Sequence, residues 1–285
     1  MENSKDEYSF EKRVIAFIDI LGFKEIIKNE SERNKILTVL HQLQKNEQSY
    51  SKKCCDSPIP IQANVKILEH KQITINPDIS CYSDNIIISA PISIEEYAGY
   101  PIPMDDFSNV LNTVSSAVYQ LQIQLLIHGF AMRGGISYGD VHISQNRIIV
   151  GTPVSDAIEA EQKCAIYPRV IFTKDFLDHL GEAIYRRLFV KRDVDGMYFV
   201  DYLGSFFEFN NESQFLPSAQ KIRTVIDNNI HASSNNIGRQ AKWFWLANQF
   251  DDNVNFYKKQ NPALAEVETF DLLKNNFLEV QRSFK

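Results

Sequence analysis

Two carboxylates stand where carboxylates are costly. Asp19 ends the apolar run V-I-A-F-I-D, and Asp84 sits in C-Y-S-D-N-I-I-I-S-A, each a lone acid beside residues that read as a buried strand. Desolvating an acid among Val, Ile and Phe is unfavourable unless positive charge holds it. One aspartate at a strand end often does no more than cap a turn or a helix start. Two in the same setting, brought together by neighbouring strands, would form a site for a hard divalent cation such as Mg2+ or Mn2+. Behind Asp19 comes Ile20-Leu21-Gly22-Phe23, and then Lys24-Glu25-Ile26-Ile27 opens a helical pattern. Gly22 permits a tight strand-to-helix turn, and free N–H groups at a helix start attract phosphate. Acids for metal beside amides for phosphate are what a metal–nucleoside triphosphate requires.

The other residue types offer less. Cys54, Cys55, Cys81 and Cys164 form no C-x-x-C pair, so they read as reduced thiols, with Cys81 and Cys164 filling core positions. His41, His70, His128, His142, His179 and His231 show no metal-ligand spacing. A net charge of −6 and the lack of a lysine/arginine run argue against a nucleic-acid partner. No apolar run approaches the roughly 20 residues of a membrane helix, and M-E-N-S-K-D-E-Y is too polar for a signal peptide. The expectation is a soluble, cytoplasmic protein without a membrane partner.

Several elements must position the two acids. Residues 13–19 read as a strand and residues 32–48 as a helix capped by Ser31, with Ile36, Leu37, Leu40 and Leu43 on one face. Residues 52–60 read as loop and 64–75 as a strand; strands 79–83 and 85–90 follow, with a hairpin turn at Asp84-Asn85. A long helix runs from Asp105 or Asp106 to about residue 128. F-A-M-R-G-G-I-S-Y-G-D-V-H-I is a glycine-rich strand and turn, residues 153–165 a helix, 169–173 a strand and 174–181 a short helix. Two strands then flank Asp195-Gly196. Beyond residue 205 only helical patterns remain, at 218–231, 239–257 and 264–277. Trp243, Trp245 and Phe250 in the middle one read as a docking face. The expectation is an α+β fold with a mainly antiparallel sheet: residues 1–205 as the main domain, 206–285 as a helical extension.

The order of these pieces resembles the class III nucleotidyl cyclases over roughly residues 12–205. V-I-A-F-I-D-I-L-G-F resembles their first metal motif, C-Y-S-D-N the second, M-R-G-G-I-S-Y-G their glycine-rich strand and turn, and G-T-P-V-S-D-A-I-E-A-E the segment before their next helix. With Y-P-R-V-I-F added, the chain looks most like the pyrimidine cyclases of bacterial Pycsar antiphage systems. The resemblance implies a ferredoxin-like βαββαβ core acting as a homodimer, with the site at the subunit interface. It implies that Asp19 and Asp84 bind two Mg2+ or Mn2+ ions, helped by the Ile20 carbonyl, and that the amides of Leu21, Gly22 and Phe23 hold the triphosphate.

Departures from the pattern are informative. Adenylyl cyclases read adenine with a lysine and an aspartate at the positions of Ser80 and Ile148 here, so the purine signature is absent. The positions of the usual transition-state asparagine and arginine hold Ser155 and Glu159. Another cation must take that role: Arg133, Arg147, Lys163 and Arg169 are candidates, and Lys191 or Arg192 could approach the triphosphate. The implied activity is conversion of UTP or CTP to the 3′,5′-cyclic monophosphate and pyrophosphate, made in antiviral defence and sensed by an effector with a cyclic-nucleotide-binding domain. The alternative is an inactive cyclase-homology module that binds nucleotide and regulates a partner. A dinucleotide-forming cyclase is disfavoured by the absence of G-G-D-E-F.

Overall fold

The computed structural model describes residues 8–49, 63–68, 71–75, 77–92, 106–144, 148–181, 189–209 and 212–260. Asp19 lies near the end of β1 (Glu11–Ile20), an inner strand of the principal sheet. On one side β1 pairs antiparallel with β5 (Asn85–Pro91), which turns back from β4 (Asp78–Tyr82). On the other side it pairs antiparallel with β6 (Met132–Ile143) over its whole length, from Glu11↔Val141 to Ile20↔Met132. Beyond β6 come β8 (Val170–Phe172), β10 (Tyr198–Val200) and β9 (Val190–Arg192); among the described residues β6–β8 is the one parallel pairing. The short β7 (Ile149–Val150) folds back on β6. The expectation of an α+β fold with a mainly antiparallel sheet is met.

Helices cover both faces. After β1, the one-turn α1 (Phe23–Ile26) leads to α2 (Glu30–Ser49), and α3 (Asp106–Ile127) links β5 to β6. Alternation along β1 sends Val14, Ala16, Ile18 and Ile20 into the large core with Ile36 and Val39 of α2 and Val110, Val114, Val118 and Leu121 of α3. The opposite face, with Ile15, Phe17 and Asp19, lies under α4 (Thr152–Lys163). That packing depends on Gly135, the cross-strand neighbour of Phe17. A Cβ there would collide with the Ala157 carbonyl oxygen and stand 2.9 Å from Ala160 Cβ. Gly135→Ala is expected to push α4 off the sheet and cost about 1–3 kcal/mol, measurable as a lower urea midpoint.

The C-terminal helices share this core. α5 (Lys174–Leu180) follows β8, and α6 (Tyr202–Phe209), α7 (Glu212–Ala232) and α8 (Ile237–Gln260) follow β10. Phe206, Ile222, Ile226, Trp245 and Phe250 belong to the same buried cluster as α3 and the sheet. Trp245 stacks on Tyr167 at 5.6 Å and 9°, so the expected docking face is real.

Other details depart from expectation. Residues 63–75 are not one strand but a hairpin, β2 (Ala63–Leu68) with β3 (Lys71–Ile75), because alternation alone does not register a reversal without turn residues. The cap of α2 is Asn29, not Ser31: its side-chain oxygen accepts the N–H groups of Ser31 (3.0 Å) and Glu32 (3.2 Å). Asp201 caps α6, accepting from the Gly204 N–H at 3.0 Å. The glycine-rich segment runs on as strand through β6 instead of turning. Cys81 and Cys164 are in no disulfide and sit half-buried against the core. The loop at 52–60, Cys54, Cys55, Arg147 and the helical pattern at 264–277 lie outside the described residues.

Between α7 and α8, burial pushes the Asp251 carboxyl up to about 7, against the pull of Arg223 and with repulsion from Asp252 and Asp227. An acid whose folded pKa is raised stabilises the protonated fold, so stability falls as pH rises from about 4 through 7. Asp251→Asn should raise the melting temperature at pH 8 by a few degrees, about 1 kcal/mol after solvent screening, and change it little at about pH 4.

Candidate active site

The β4–β5 hairpin is a two-residue turn at Ser83-Asp84, one residue earlier than expected, with Tyr82 opposite Asn85 and Ser83 in the left-handed region (φ 60°). Asn85 pairs with Asp19 across β5 and β1. The turn is tied to the end of β1 by a hydrogen bond from the Ile20 N–H to the Asp84 carbonyl at 3.1 Å. Asp19 and Asp84 therefore lie at the same end of the sheet. The Asn85 side-chain amide donates to the Asp84 carboxylate at 3.2 Å, which orients it.

On the other side, Asp19 faces Arg133, its cross-strand partner on β6, with Arg133 Nε 3.4 Å from Asp19 Oδ2. Arg133 Nη2 lies 2.6 Å from Glu161 Oε1 of α4. That approach is close but misaligned for hydrogen bonding, so a carboxylate oxygen whose side chain is only 4% exposed is left without a hydrogen bond. Burial raises the Asp19 carboxyl above its ordinary range; Arg133 opposes this and the nearby Asp84 adds to it. Burial likewise raises Glu161, against Arg133 and with Asp19. Lys242 of α8 feels the charges of Arg133, Asp19 and Glu161. Three acids against two cations leave the group short of positive charge.

The strand-to-helix turn is formed as expected, with Gly22 left-handed at φ 77° before α1. The Leu21 N–H, however, does not face an open site: it donates to the Ala131 carbonyl at 2.9 Å, because the β1–β6 ladder continues one residue past Ile20. Among the described residues no backbone acceptor takes the N–H groups of Gly22 and Phe23.

The remaining expected site residues are scattered. Ser80 is buried on β4, whereas Ile148 is exposed beside β7, its N–H held by Ser144 Oγ at 3.0 Å. The Ser80–Ile87–Phe17–Gly135 row meets β6 nine residues short of Ser144, roughly 30 Å along the strand, so one subunit does not bring the two together. Ser155 and Glu159 lie on the exposed side of α4, and Glu159 pairs with Lys163 at 2.6 Å. Arg169 is fully buried and bound to Asp193 and Asp195, so it is a structural cation. Lys191 donates to Gln249 at 2.8 Å, and Arg192 lies over the Tyr198 ring. Of the candidate cations that are described, Arg133 alone reaches Asp19. Sequence reasoning missed Glu161 and Lys242. Glu161 shares the buried face of α4 with Pro153, Ala157 and Ala160, so an acid on an apolar helical stripe was the available signal.

Among the described residues, no group of three or more His, Cys, Asp or Glu is placed to hold a metal ion. Two carboxylates are nevertheless a fitting donor set for Mg2+ or Mn2+ when substrate phosphates supply further oxygens. Their mutual repulsion and the charge deficit around Asp19 favour such an ion. No helix among the described residues is long and apolar enough to cross a membrane. No family model matches the sequence, and no curated protein matches it significantly.

Proposed function

We propose that this chain is a pyrimidine nucleotidyl cyclase, converting UTP or CTP to the 3′,5′-cyclic monophosphate with release of pyrophosphate. The observation that carries the reading is the Ile20–Asp84 hydrogen bond, which seats the β4–β5 turn on the end of β1 and sets Asp84 against Asp19. The strand order β4-β5-β1-β6, with α2 after β1 and α3 before β6, agrees with a ferredoxin-like βαββαβ core of the class III type. Asp19, Asp84 and the Ile20 carbonyl would hold Mg2+ or Mn2+. Such ions, when bound, lower the pKa of the ribose 3′-hydroxyl and neutralise the leaving pyrophosphate. Arg133 steadies Asp19, and the N–H groups of Gly22 and Phe23 face the phosphates. The separation of Ser80 from Ile148 agrees with a homodimer in which each base pocket draws on more than one surface. The resemblance alone supports a cytoplasmic role in antiviral signalling through an effector with a cyclic-nucleotide-binding domain.

Incubation of pure protein with each of the four NTPs and Mn2+, followed by chromatography, tests this. Cyclic UMP or cyclic CMP with pyrophosphate is the expected product. No cyclic product, or cyclic AMP alone, overturns the pyrimidine reading. A second reading is a nucleotide-binding module without turnover. It is favoured by the engagement of Arg133 with both Asp19 and Glu161, and by the outward placement of Ser155 and Glu159. Tight NTP binding without pyrophosphate release would select it.

A further inference from the structure

We propose that Lys242, on α8, is a binding residue of this same site, donating its ammonium to the anionic oxygens of a bound triphosphate. The inference rests on the nucleotide reading above and extends it: the C-terminal helices complete the site instead of merely covering the sheet. Two cations stand near Asp19, and they differ in how fully they are engaged. Arg133 is spent between Asp19 and Glu161. Lys242 is half-buried and within the electrostatic reach of both acids, yet no carboxylate among the described residues lies within ion-pair distance of its ammonium. An ammonium carries three N–H donors, and a half-buried one without contact partners is relieved by an arriving anion.

The turn of α8 that follows Lys242 is anchored by Trp245. Three residues along α8, hence on the neighbouring turn, Trp245 Nε1 donates to Asp193 Oδ2 at 2.8 Å and the indole stacks on Tyr167. Asp193 pairs with Arg169, whose own carbonyl accepts the Gly134 N–H at 3.2 Å, next to Arg133 on β6. A rigid, buried path thus runs from α8 to the strand that carries the cluster. Helix α8 lies outside the segment that resembles a cyclase, so nothing in that resemblance assigns Lys242 a role.

Calorimetric titration of the full chain with UTP, CTP and inorganic tripolyphosphate, in the presence of Ca2+, tests the assignment. Lys242→Met should weaken UTP or CTP and tripolyphosphate alike by roughly 10–100-fold, the worth of one charge-assisted contact, and Lys242→Arg should recover most of it. Thermal unfolding of both variants should stay close to wild type. A Lys242→Met protein that binds triphosphate as tightly as wild type overturns this inference and leaves the cyclase reading standing. If the loss follows a lowered melting temperature and Lys242→Arg does not restore affinity, Lys242 is structural and the inference fails. A wild-type protein that binds none of the three probes overturns both readings.

Discussion

If the chain is the proposed cyclase, Asp19→Asn and Asp84→Asn are each expected to reduce cyclic nucleotide formation by at least roughly 1,000-fold, because each would remove a hard anionic ligand worth several kcal/mol of charge stabilisation. The two changes should not add, since either alone leaves the cation pair incomplete. The fold should survive both. Asp84 is a turn residue whose structural contact, the carbonyl accepting from Ile20, is made by the main chain and persists in the variant. Asp19 loses its attraction for Arg133, but that guanidinium retains Glu161 as a counter-ion. Circular dichroism and melting temperature near wild type, together with lost turnover, would place the effect in chemistry. Residual activity within tenfold of wild type would contradict a role for that acid as a metal ligand.

The largest expected loss of stability lies elsewhere, at Arg169. Its guanidinium is fully buried and ion-paired with Asp193 and Asp195, including a contact from Nη1 to Asp195 Oδ1 at 3.1 Å. The rings of Tyr167, Trp245 and Phe199 surround it at 5.4, 5.8 and 5.9 Å from Cζ. Arg169→Met would leave Asp193, whose side chain is only 2% exposed, with no cation. Such orphaned charges cost about 3–5 kcal/mol, seen as a lower denaturant midpoint. Adding Asp193→Asn should recover part of the loss, because the buried charge is gone while the amide oxygen still accepts from Trp245. If the double variant is no more stable than Arg169→Met, the ion pair is not the source of the cost. Burial alone would raise the Asp195 carboxyl, but the Arg169 hydrogen bond holds it below its usual range. That part of the stability is complete above about pH 4 and fades as pH falls further.

The acids at 19 and 84 were legible because each is a lone carboxylate beside a continuous apolar run, and strand pairing then has few ways to arrange them. The hairpin around Asp195-Gly196 was legible for a local reason: Gly196 takes φ 87°, which the residue type permits freely. What was not legible depends on tertiary contact. The commitment of Leu21 to Ala131 follows from how far the β1–β6 ladder runs, and no spacing encodes that. The burial of Arg169 inverts the usual expectation for an arginine and follows from the rings of Phe199 and Trp245, both distant in sequence, closing over it beside the nearby Tyr167. Lys242 looks like an ordinary helix-surface lysine until α8 is laid against the end of the sheet.

In the proposed cyclase, the carboxylates at 19 and 84 share divalent cations with a bound triphosphate. Electron paramagnetic resonance of Mn2+ titrated into the protein with 3′-deoxy-UTP or 3′-deoxy-CTP, which cannot cyclise, measures this directly. Two Mn2+ per subunit in the wild type, with at least one lost in each of Asp19→Asn and Asp84→Asn, is the predicted result. A wild type that binds no Mn2+, or variants that keep both ions, would contradict it.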